Sequence, residues 1–169
     1  MSFKIRILGL DPSLVKCGWG VVEAEGTKLR HIANGVIKPD TKAEMPNRLN
    51  ELYDALSDIV RIHQPDEAAV EDLFLKNNPN SAAKLGYARA MCLLAPKQQG
   101  LPVSEYSAKK VKKSVVGTGQ ADKVQVAAMM NVLLPGVNVK AGDAADALAI
   151  AICHAHRASA AGALHRRFA

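Results

Sequence analysis

Two apolar runs in this chain stop on a carboxylate, and that limits how it can fold. Ile5-Arg6-Ile7-Leu8-Gly9-Leu10 ends on Asp11, and Ala68-Ala69-Val70 ends on Glu71. A further acidic pair, Asp143 and Asp146, opens an Ala-rich stretch that continues to Ile150. An acid at the end of an apolar strand is poorly solvated and needs a partner. No basic residue adjoins any of the four, so the partner that fits is a cation such as Mg²⁺, held by acids converging from separate elements. Taken singly, each acid has an ordinary structural explanation. Asp before Pro favours a turn, a strand-end Glu can stay at the surface, and acids in a first helical turn favour the helix dipole by roughly 0.3–1 kcal/mol each. The metal reading draws its strength from all four lying at expected strand ends or helix starts.

Hydrophobic periodicity supplies the frame. Residues 3–11 alternate and then turn fully apolar, as a strand entering a core does. Cys17–Ala24 and Leu29–Ile37 read as two more strands, joined by the turn signal Glu25-Gly26 into an antiparallel hairpin. Leu49, Leu52, Tyr53, Leu56, Ile59 and Val60 recur at helical spacing within Asn47–His63. Ala68–Val70 is short and apolar, which suits a central strand covered on both faces. A helix follows over Ser81–Gln98, with Pro96 kinking or shortening its last turn, then a strand at Val103–Tyr106. Three helices complete the chain: a basic one over Ala108–Val116, one over Asp122–Leu134 with Asp122 as N-cap, and a last one from Gly142 to Ala161. The order predicts an α/β fold, a mixed five-stranded sheet built from an antiparallel three-stranded meander plus parallel strands, with helices on both faces. One domain spans 1–161, and residues 162–169 form a basic, flexible tail.

Of the 169 residues, 49% are hydrophobic, enough for a real core, and the net charge is +6. A basic balance favours an acidic polymer or surface as partner. The 3 cysteines, Cys17, Cys92 and Cys153, form no CxxC pair, which argues against a disulfide framework or a zinc site. No secretory signal opens the chain and no apolar stretch is long enough to cross a bilayer, so a cytoplasmic protein is expected. The 5 histidines show no metal-ligand spacing and are read as structural or surface residues.

Acids at separate strand ends in a basic chain suit phosphodiester hydrolysis. That reaction needs an activated water, in-line geometry and charge compensation, which two Mg²⁺ ions about 4 Å apart supply. Asp143 and Asp146, at i and i+3, share one helical face. Alanines at 144, 145, 147, 149 and 151 would let their helix press on the sheet and carry both acids to the strand ends. Lys109, Lys110, Lys112 and Lys113 form the densest positive run, suited to phosphate contact at Lys112 and Lys113, together with Lys123. Lys76, Lys84 and Arg89 would extend that surface. Phe74, in a polar loop, is either tucked onto the core or an apolar wedge for unstacked bases. Ala82, Ala83, Gly86 and Ala90 permit close helix–helix approach, either to the chain's own sheet or across a two-fold axis.

These segments together resemble the RuvC family of bacterial Holliday-junction resolvases. The likeness rests on Gly9-Leu10-Asp11-Pro12-Ser13 with Gly18-Trp19-Gly20, on Glu71-Asp72-Leu73-Phe74, on Val111-Lys112-Lys113-Ser114-Val115-Val116-Gly117 and on Asp143-Ala144-Ala145-Asp146-Ala147-Leu148-Ala149. It covers nearly the whole chain in order. The resemblance implies a ribonuclease H-like fold, a homodimer, and paired symmetric nicks across four-way junction DNA that leave 5′-phosphate and 3′-hydroxyl ends in recombination and repair. It implies Asp11, Glu71, Asp143 and Asp146 as catalytic ligands of two Mg²⁺, with Mn²⁺ able to substitute. Phe74 takes the family's aromatic position beside the junction, and Lys112 and Lys123 its basic DNA contacts. The branch-migration proteins RuvA and RuvB are the implied partners. Ser13 stands where the family commonly has Gly, and a positive φ there would strain it.

Overall fold

The computed structural model describes the backbone of residues 4–72 and 78–167. Strand β1 (Lys4–Asp11) pairs antiparallel with β2 (Cys17–Glu25), which pairs antiparallel with β3 (Lys28–Ile37). On its other side β1 pairs in parallel with β4 (Glu67–Asp72), and β4 in parallel with β5 (Val103–Ser107). The result is a five-stranded mixed sheet in the order β3-β2-β1-β4-β5, with β1 at its centre. This is the architecture expected from the sequence.

Helix α1 (Met45–His63) and helix α2 (Pro79–Gln98) cover one face of the sheet. Helices α3 (Ala108–Val116), α4 (Lys123–Leu133) and α5 (Asp143–Arg167) cover the other. The strands sort their residues between the two layers by the two-residue period of a strand. Leu8 and Leu10 of β1, with Ala68 and Val70 of β4, are buried under α1 and α2. Ile7 of β1 and Ala69 of β4 are buried under α3–α5.

Against the second face the sheet presents glycine where α5 lies. A Cβ on Gly9 would stand 2.1 Å from the Ala147 carbonyl oxygen and 2.7 Å from the Ala151 nitrogen. A Cβ on Gly18 would stand 2.1 Å from the Asp143 carbonyl oxygen. A Cβ on Gly20, paired with Gly9 across the ladder, would stand 2.7 Å from the Leu148 side chain. The alanines at 145, 147, 149 and 151 are fully buried against it. Two backbones therefore approach with almost nothing between them.

Helix ends follow the expected chemistry. Asp122 caps α4 in a reciprocal box with Gln125, and Gly117 ends α3 at φ 91. α2 ends at Gln98, as read from the sequence, and Pro96 does not shorten it. One boundary differs from the sequence reading. α5 runs on through Gly162 to Arg167 rather than ending at Ala161, since one glycine costs about 1 kcal/mol, too little to halt an Ala-rich helix. Cys17 and Cys92 are distant in sequence, yet their buried sulfurs lie 3.7 Å apart as free thiols. Cys153 is a buried core residue.

Gly9→Ala should cost about 1–3 kcal/mol, the usual range for overpacking, read as a lower urea midpoint at unchanged m value. An unchanged midpoint would mean that α5 does not rest on Gly9.

Candidate metal centre

The alternation that buries Ile7 also turns Gly9 and Asp11 toward α5. The same rule turns Glu71, two residues after Ala69, toward that layer. Leu10 and Val70 are register partners in the parallel pair β1–β4, so Asp11 and Glu71 end adjacent strands side by side on one face. Gly18, the register partner of Asp11, carries the backbone of Asp143 directly above it. Asp143 and Asp146 occupy the first turn of α5.

One carboxylate oxygen each from Asp11, Asp143 and Asp146 lies within 4.8 Å of the others, a spacing that can hold a cation. Glu71 stands beside this group, outside the 4.8 Å set but close enough to raise the proton affinity of Asp11. Burial, then the charges of Glu71, Asp146 and Asp143, push the Asp11 carboxyl up to about 8. Burial and Asp146 also raise Glu71, while Lys112 and Lys123 pull it down. Lys123, at the start of α4, donates to Asp146 at 3.2 Å. That bond holds the ammonium above its usual range.

The donor set consists of carboxylate oxygens from three elements, the chemistry that Mg²⁺ selects. Burial first, and then repulsion that one lysine bonded to the group does not balance, lifts Asp11. A divalent cation would supply what the side chains lack.

Of the basic residues read from the sequence, Lys112 and Lys123 face the acids. Lys113 is exposed on α3, its carbonyl spent in capping at Gly117. Lys110 lies over the Tyr106 ring at 5.8 Å instead. Arg89 is not a free extension of the basic surface, because it forms ion pairs with Asp72 and Glu105. Phe74 and Lys76 lie outside the described residues. Ser13 is unstrained: Gln64 is the one described non-glycine residue at positive φ, and the Ser13 hydroxyl accepts from the N–H groups of Val15 and Lys16, each at 3.1 Å. Local hydrogen bonds thus form the turn without glycine.

The sequence reading gave no role to the glycine contacts beneath α5, although alternating glycines in Gly18-Trp19-Gly20 signal close backbone approach. His154 takes a structural part, bridging Tyr106 Oη at 2.7 Å and Glu67 at 2.5 Å.

Residues 7–154 match the family model described as Crossover junction endodeoxyribonuclease RuvC. A protein of that name from Maricaulis maris is 58% identical over 92% of this chain and 93% of its own. Another, from Gluconobacter oxydans, is 53% identical over 93% of this chain and 94% of its own. Among solved structures, T. thermophilus RuvC in complex with Holliday junction substrate superposes with a TM-score of 0.87 at 30% identity, covering 93% of this chain and 96% of that one. The yeast mitochondrial Holliday junction resolvase shares the fold, at a TM-score of 0.70 and 16% identity over 96% of this chain and 82% of its own.

The raised Asp11 makes a signed prediction. In the folded, metal-free protein this group holds a proton up to about pH 8, whereas an unfolded Asp releases it near pH 4. Its contribution to stability is therefore full below about pH 4 and is lost as pH rises toward 8. In EDTA, Asp11→Asn should raise the melting temperature at pH 8.5 more than at pH 5, and should weaken the stabilisation that Mg²⁺ gives the unsubstituted protein. An Asp11→Asn shift independent of pH would refute the crowded-carboxylate reading.

Proposed function

The chain belongs to the RuvC family of crossover junction endodeoxyribonucleases, and on that footing we propose that it resolves Holliday junctions by paired, symmetric, Mg²⁺-dependent nicks. It is an endonuclease that hydrolyses DNA. The observation that carries the finer reading is the convergence of Asp11, Asp143 and Asp146, with Glu71 beside them, at one edge of the sheet.

Asp11, Glu71, Asp143 and Asp146 would hold the metal, Mg²⁺ by preference with Mn²⁺ as substitute. Two such ions, once bound, supply an activated water and charge compensation at the phosphate. The protein's own part is positioning. β1 and β4 fix Asp11 and Glu71 on adjacent strands, and the glycine-seated α5 fixes Asp143 and Asp146 above them. Lys123 and Lys112 bring positive charge to a site whose acids repel the backbone, so they suit phosphate contact. Lys113 lies further along the same basic helix, and Lys76 and Phe74 belong to the segment that follows Glu71. Water adds to phosphorus as the bond to the 3′ oxygen breaks, leaving a 5′-phosphate and a 3′-hydroxyl.

A four-way junction has two-fold character, and a two-fold dimer is the simplest way to nick it symmetrically. Helix α2 supports this reading. Its Ala88, Cys92 and Ala95 are buried on the sheet, while Ala83, Gly86, Tyr87, Ala90 and Leu94 remain exposed. Small residues with a Tyr and a Leu suit a helix contact with a second copy. Family membership supports work alongside the RuvA and RuvB branch-migration proteins. Action on DNA supports a cytoplasmic location; among the described residues no helix is long and apolar enough to cross a membrane.

Asp11→Asn and Glu71→Gln should bind a synthetic four-way junction while cutting it at least about a hundredfold more slowly in Mg²⁺, as loss of charge stabilisation at a reacting centre does. Gel-resolved nicking on junction, linear duplex and RNA–DNA hybrid tests this directly. Robust junction cleavage by Asp11→Asn, or preference for the hybrid, would defeat the proposal. Phe74→Ala should slow cleavage more than it weakens binding, and equal loss of activity and thermal stability would assign Phe74 to the core.

A further inference from the structure

A cavity of about 420 Å³ lies on the α1–α2 side of the sheet and takes no part in the metal centre. Topology places it at the same edge as the acids. Strands β1, β3 and β4 run in one direction. The turn after Asp11, the segment leading into α1 and the start of α2 therefore emerge together.

The lining is chemically one-sided. Ser13, Thr41 and Ser81 contribute hydroxyls, Arg48 and Lys84 contribute positive charge, and among the described residues no carboxylate lines it. Arg48 is only 8% exposed. Its Nη2 donates to the Leu14 carbonyl at 2.6 Å, while its buried Nε has no partner. A guanidinium has five N–H donors, and among the described residues Leu14 is its one acceptor, so the buried cation is underused. Glu44, the N-cap of α1, is exposed and makes no capping bond, while two other nearby carboxylates are committed elsewhere. Asp40 accepts from the Lys42 N–H and Glu51 from the Asp40 N–H, each at 2.9 Å. Neither α1 nor α2 carries an acid in its first turn, and the Asn80 and Ser81 N–H groups at the start of α2 donate to Asn78 Oδ1. Leu14, Val15 and Leu85 add an apolar wall that suits a deoxyribose.

We infer that this cavity seats a backbone phosphate of the DNA strand held at the metal centre, gripped by Arg48 and Lys84 from the face opposite α5. The inference rests on the DNA-cleaving reading above. It gives the enzyme a second anchor, on the other side of β1 from the scissile bond. Such an anchor fixes the register of the strand without reading its sequence.

The test is the salt dependence of junction binding without Mg²⁺. Each neutralised phosphate contributes about 0.9 to the slope of log affinity against log salt. Lys84→Gln should lower that slope by about one and weaken binding roughly five- to tenfold near 0.1 M salt. Lys84 is exposed, so the variant should fold. Thr41→Val should weaken binding without changing the slope. Lys28→Gln, at the hairpin on the opposite edge of the sheet, should change neither. Isothermal titration with inorganic phosphate alone distinguishes a free ion from a DNA phosphate. Saturable phosphate binding lost in Lys84→Gln, with junction affinity unchanged, would overturn the inference. Unchanged slope and affinity in Lys84→Gln, while wild type cuts the junction, would overturn it and leave the nuclease reading standing. A wild type that neither binds nor cuts a junction would overturn both.

Discussion

The close contact between α5 and the centre of the sheet is the constraint on which the site depends. Gly9 and Gly18 leave no side chain where the backbone of α5 passes, and a Cβ at either would fall 2.1 Å from a carbonyl oxygen. Interiors pack at near-crystal density, so a helix cannot be held this close by any other residue type. The seat fixes the height of Asp143 and Asp146 above Asp11. A helix held further out would keep its burial against Ile7 and Val22 in part, but the three carboxylates would no longer lie within reach of one cation.

That contact has an electrostatic cost. It buries Asp11 and brings other carboxylates beside it, and burial first, then their repulsion, raises the Asp11 carboxyl to about 8. The fold tolerates the strain because the layers around it are well packed, with separate apolar cores on the two faces of the sheet. Lys123 relieves part of the repulsion through Asp146. A site that is unfavourable when empty and suited to divalent cations is the expected form of a metal-dependent nuclease centre.

The two layers divide the remaining work. On the α3–α5 side, Asp143 and Asp146 of α5 meet Asp11 and Glu71 of the sheet, together with Lys112 and Lys123. The α1–α2 layer offers an underused buried arginine and an exposed small-residue helix face. β1 lies between them, with Asp11 turned to one side and the Ser13 turn leading to the other.

Much of this was legible in the chain itself. Apolar alternation in residues 4–11, the hairpin signal at Glu25-Gly26 and the helical period in α1 determine local structure, because these depend on neighbouring residues. The four acids stood out for the same reason, each ending or opening a readable element. Their convergence was expected, but the separations between them were not readable, since these depend on strand register and on the seat of α5, which are set by contacts between distant segments. Arg89 shows the same limit: in sequence it is one more cation, and only folding places it between Asp72 and Glu105. So does the nearness of Cys17 to Cys92. The sequence by itself determined which elements form and which residues carry charge. The tertiary structure decided which charges face one another, because separations of a few ångströms between remote residues follow from packing and not from local propensity.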